Sequence, residues 1–64
     1  MEVQELNKRI RASLAYIGRS VPWLAGRLGI STRTAYRKLA NEVTWDYPEV
    51  LAMKKLFRWP TLEG

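Results

Sequence analysis

The 64-residue sequence contains no cysteine and no histidine. The first absence rules out a disulfide framework and fits a reducing cytoplasm. Together they rule out thiolate or imidazole metal sites, so no metal or cofactor is expected. A conventional nucleophile and base pair lacks its usual members, and the six acidic residues form no tight cluster. Catalysis is therefore not expected. No apolar run approaches the ~20 residues of a membrane span. The opening MEVQELNKRIRASL is amphipathic, unlike the charged start and uninterrupted apolar stretch of a signal peptide. The chain reads as a soluble, unprocessed, cytoplasmic protein with no membrane partner and no evident small-molecule ligand.

Acidic residues are also missing from one long stretch, because no Asp or Glu occurs from Leu6 through Asn41. The net charge of +5 is consequently uneven. Lys8, Arg9, Arg11, Arg19, Arg27, Arg33, Arg37 and Lys38 stand against Glu2 and Glu5, whereas Lys54, Lys55 and Arg58 stand against Glu42, Asp46, Glu49 and Glu63. A polyanion should meet the first two thirds of the chain. Charge alone allows a merely solvated basic surface equally well.

The length fits one domain over residues 1–64, near the lower limit for folding without covalent or metal staples. Val3, Leu6, Ile10, Leu14 and Ile17 recur every three or four positions, predicting an amphipathic helix from Glu2 to about Ile17 that ends at Gly18. Ser20 is placed to cap a second helix over Val21–Leu28, with Pro22 in its first turn. A third should run from Thr32 to about Ala40. Asp46 and Glu49 have capping-box spacing ahead of a fourth, whose inward stripe is Val50, Met53, Leu56 and Phe57 and which Arg58-Trp59-Pro60 closes. No strand alternation interrupts the pattern. The fold expected is all-α, four helices with room for a short fifth turn over 61–63, around a core of Leu6, Ile10, Leu14, Ile17, Leu24, Ala25, Leu28, Ile30, Ala35, Leu39, Val50, Met53 and Leu56.

The stretch Val21 to Asn41, VPWLAGRLGISTRTAYRKLAN, carries the most function. Ala25 is small enough for a second helix to approach, Gly29 supplies the positive φ of a tight helix end, and Ser31 reopens helix as an N-cap. The pattern predicts a helix-turn-helix, a unit whose second helix would enter a major groove. On that helix Thr32, Arg33, Tyr36 and Arg37 lie along one side, with Ala35 and Leu39 along the other. Arg33 can give a bidentate pair to guanine O6 and N7, and Arg37 lies one turn further on. Tyr36 can touch a sugar, a thymine methyl or a phosphate, or be partly buried against a neighbouring helix. Arg19, Ser20 and the helix-two N-terminus suit phosphate, and Arg27, Lys38 and Asn41 could extend that contact. For Arg27 and Lys38 the alternative is a solvated charge, and for Asn41 and Thr44 a cap or turn.

Trp23 is expected to be partly buried. Trp45, Tyr47, Phe57 and Trp59 make the last third rich in aromatics, which suits either a protein interface or the filling of a small core. Core filling is the better use of Trp45 and Phe57, although Phe57 could join Trp59 in a homodimer contact. Trp59 is the residue placed foremost at such an interface.

Leu24-Ala25 with Leu28-Gly29-Ile30-Ser31, followed by Thr34-Ala35-Tyr36-Arg37-Lys38-Leu39, resembles the turn and third helix of the lambda-repressor-like helix-turn-helix regulators, the group that includes phage Cro and repressor proteins. Trp45-Asp46-Tyr47-Pro48-Glu49-Val50 and the stripe through Leu56 are similar to that family's fourth helix, so the resemblance spans roughly residues 10–57. It implies a compact four-helix domain that occupies operator DNA. It also implies base-facing positions at Thr32, Arg33, Tyr36 and Arg37 and a phosphate-facing one at Ser20. Two other functions stay open: an antirepressor-type protein-interaction module, and an excisionase-like architectural protein that bends DNA.

Overall fold

The computed structural model describes residues 3–60 and contains four helices: α1 (Val3–Ile17), α2 (Val21–Leu28), α3 (Thr32–Leu39) and α4 (Tyr47–Leu56). The fold is all-helical, and no strand occurs among the described residues. The expected helix start at Glu2, the inward turn of the Val3 side chain and the fifth turn over 61–63 lie outside what is described.

The four helices end alike. In each, a residue with positive φ follows the last turn: Gly18 (φ 70), Gly29 (φ 72), Asn41 (φ 66) and Arg58 (φ 57). The next amide then reaches back to a carbonyl in the final turn, as Arg19 N–H does to Leu14 O at 2.9 Å, Ile30 to Ala25 at 3.0 Å, Glu42 to Arg37 at 2.9 Å and Trp59 to Lys54 at 2.9 Å. This closure satisfies carbonyls that the helix itself leaves unpaired. Glycine meets the backbone demand without strain at two of these ends, and Asn41 tolerates it. Arg58 is a long side chain in a conformation that disfavours one.

Ile10, Leu14, Leu24, Leu39 and Met53 form the buried centre, joined by Trp45 and Trp59 from the segments flanking α4. Ala25 and Ala35 are buried as well, which lets α2 and α3 pack closely. Leu6, Leu28, Ile30, Val50, Leu56 and Phe57 cover this centre as partly buried residues. Ile17 departs from the expected core and is 41% exposed. In the same last turn of α1 Leu14 is buried, whereas Ile17 lines an open groove beside Phe57 and Trp59.

Trp59 is also not where an interface residue belongs. Its ring is 8% exposed, stacked by Phe57 at 5.5 Å and covered by the Arg9 guanidinium 4.4 Å from its centroid. Its indole N–H donates to Ser13 Oγ at 2.9 Å. Trp59 thus closes the core against α1, with Phe57 as its packing partner. An indole packed in this way has little surface left to offer a second copy, and its N–H is already paired.

Asn7 is the main polar group of the interior, at 4% exposure. Its Nδ2 donates to Lys38 O at 3.1 Å, Leu39 O at 3.3 Å and Asn41 Oδ1 at 2.6 Å. Its Oδ1 accepts Trp45 Nε1–H at 2.7 Å. One side chain on α1 therefore satisfies the exit of α3 and fixes the segment leading to α4.

Candidate nucleic-acid interface

The turn between α2 and α3 is set by Gly29 in the left-handed region and by Ser31, whose Oγ accepts Thr34 N–H at 3.1 Å. The Ser31 hydroxyl also donates to Thr34 Oγ1 at 2.8 Å, so the Thr34 hydroxyl is occupied within the helix start. From there α3 divides cleanly. Ala35, Lys38 and Leu39 face inward, whereas Arg33, Tyr36 and Arg37 are exposed and Thr32 is half-buried. Positions 33 and 37 are one turn apart with 36 beside them, so the structure brings the three long side chains onto one outer face.

Arg33 has no ion-pair partner among the described residues. Arg37 has one, the Glu42 carboxylate, with its Nε 3.9 Å from Oε1 and both side chains more than half exposed. Tyr36 keeps half of its surface in solvent, enough to reach an outside partner.

The other expected contacts separate. Ser20 occupies the N-cap position of α2 with extended backbone (φ −105, ψ 168), but its hydroxyl makes no capping bond. That hydroxyl therefore remains open to an outside acceptor. Arg19 is exposed, with its guanidinium 5.4 Å from the Trp23 ring centroid, and Trp23 is half-buried. Arg27 is exposed in the last turn of α2.

Lys38 is the clear correction to the phosphate set. Its side chain is 7% exposed and its ammonium is paired with Glu49, beside the Trp45 ring. Glu49 Oε1 also accepts Asp46 N–H at 2.8 Å as part of the α4 capping box. Desolvation makes this pair expensive to open, so the ammonium is held for the interior. Asn41 is likewise drawn into the fold: its positive φ ends α3, and its side-chain oxygen accepts from Asn7. That oxygen serves the helix end, as the alternative of a cap proposed.

Arg11, on the far side of α3, reaches Leu39 O at 3.5 Å. Two residues that matter were not singled out from the sequence. Asn7 lies between Leu6 and Ile10 on the inward stripe of α1, and a polar residue on an apolar stripe is itself a signal. Glu42 gave a weaker one as the first acid after the acid-free stretch; its pairing with Arg37 depends on the backbone turn that closes α3.

The chain matches no protein-family model, no curated protein and no solved structure.

Proposed function

We propose that this chain is a sequence-specific regulator of transcription, of the lambda-repressor-like helix-turn-helix kind, that occupies operator DNA with α3 in the major groove. The observation that carries this reading is the division of α3. Ala35 and Leu39 seat the helix against the core, while Arg33, Tyr36 and Arg37 face outward from a segment free of carboxylates. Arginine is the commonest reader of guanine in the major groove, and the surrounding positive charge supplies sequence-independent attraction. Arg19, Ser20 and Arg27 are the phosphate contacts. The setting that fits is the cytoplasm of a bacterial or phage-infected cell, with the chain acting as a repressor alone or as a homodimer.

The deciding experiment selects bound sites from random duplex DNA, then compares affinity for a selected site and a scrambled one across salt concentrations. A strong preference for the selected site supports the reading. Equal affinities with a purely electrostatic salt slope would defeat it.

A second reading, a protein-interaction module of the antirepressor type, is favoured by one observation. Tyr16 is 92% and Ile17 41% exposed, and both line a groove with Arg9, Phe57 and Trp59. Purified protein that shifts no DNA yet forms a defined complex with a repressor would favour this reading over the first.

A further inference from the structure

We infer that Glu42 is a specificity-determining residue that holds Arg37 away from phosphate, so that α3 gains little from duplexes lacking the matched base. The inference deepens the DNA-binding reading and rests on it.

Arg37 and Glu42 are joined twice. Glu42 N–H donates to Arg37 O at 2.9 Å, and the Glu42 carboxylate lies 3.9 Å from Arg37 Nε. The first contact fixes where the second can occur, because it belongs to the backbone closure at the end of α3. That closure is itself anchored: Asn41, the positive-φ residue between them, has its side chain bonded to the buried Asn7 at 2.6 Å. Glu42 is thus a carboxylate whose backbone is set by the core, beside the outward face of α3. Residues 6–41 contain no acid, and Glu42 is the first after them.

A phosphate near the end of α3 must compete with Glu42 for the Arg37 guanidinium. The direct repulsion between Glu42 and that phosphate is common to both duplexes and cancels from their ratio. A guanine edge offers two acceptors in the geometry of the guanidinium and so competes better for Arg37. Glu42 therefore weakens phosphate-only binding more than matched binding, and discrimination comes from penalising the wrong duplex.

The test uses the full chain and its Glu42→Gln, Arg37→Gln and doubly substituted forms, with one duplex selected by the wild-type protein and one scrambled duplex. Glu42→Gln should tighten binding to the scrambled duplex by about fivefold, the upper range for an exposed ion pair. Binding to the selected duplex should change by less than about twofold, so the ratio between them narrows. In the Arg37→Gln background, Glu42→Gln should leave that ratio unchanged. Thermal midpoints should stay together, because the pair is exposed. Equal tightening on both duplexes, no change on either, or the same narrowing without Arg37 would overturn the inference while leaving the DNA-binding reading intact. A wild-type protein that shows no preference between the duplexes removes both.

Discussion

Asn7 on α1 and Trp45 beyond α3 meet through a 2.7 Å bond from the indole N–H to the amide oxygen, and the amide nitrogen of the same Asn7 binds the exit of α3. Two segments far apart in sequence are thereby tied to the helix that carries the outward arginines. Asn7→Ala would leave the buried Trp45 indole donor without a partner, whereas Lys38 O keeps the Asn41 N–H at 3.2 Å and Leu39 O keeps the Arg11 guanidinium at 3.5 Å. A loss of about 2 kcal/mol is expected, within the range of about 1 to 3 kcal/mol for one stranded group. Urea unfolding followed by Trp fluorescence measures it, and a loss well below 1 kcal/mol would contradict the role given to Asn7.

Lys38→Met keeps the buried stem of the side chain and removes only the ammonium. Stability should fall by about 2 kcal/mol, somewhat less than for a fully buried pair because Glu49 retains the Asp46 amide. Among molecules that remain folded, the dependence of DNA affinity on salt should be that of the parent chain. A salt slope lower by about one would return Lys38 to the phosphate contacts.

Arg33→Ala and Arg27→Ala should weaken DNA binding in different ways. The first is expected to relax preference at a single base position at a cost of about 1 to 3 kcal/mol on the selected site. The second should weaken selected and scrambled duplexes alike and lower the salt slope by about one. Titrations of each variant against single-base variants of the site distinguish the two patterns, and identical patterns would undo the division between reading and clamping residues.

Arg58→Gly should stabilise the fold. The present residue sits at φ 57, where a side chain costs about 1 to 2 kcal/mol, and the greater freedom of glycine in the unfolded chain offsets part of the gain. A net rise of about 0.5 to 1 kcal/mol corresponds to roughly 4 °C in thermal midpoint for a domain of this size. Calorimetry reads it directly; a lower midpoint would mean that the Arg58 side chain makes contacts worth more than the strain.

The helices were legible because helical spacing, Ser31, Asp46 and Gly29 are local signals, each acting within a few residues. The outward positions of α3 followed from the same arithmetic once Ala35 and Leu39 were turned inward. The departures have a different cause. Residue type alone points Lys38 and Trp59 outward and leaves Asn41 between phosphate and cap, but their partners, Glu49, Ser13 and Asn7, lie elsewhere along the chain and are met only when the helices pack. Ile17 fits the period of α1 yet lies at the rim of a groove with Phe57 and Trp59, and how far those rings cover it is set by packing rather than by the pattern of α1.

The side chains of Arg33 and Tyr36 contribute no internal hydrogen bond or ion pair among the described residues, and that of Arg37 contributes only a solvent-exposed ion pair. The bonds that orient α3 come from behind it, through Asn7 and through the Lys38–Glu49 pair. Address and chassis are consequently separable in this chain. The outer residues of α3 can be exchanged for others while the domain beneath folds unchanged, and under the proposed reading such an exchange would redirect the chain to a new target.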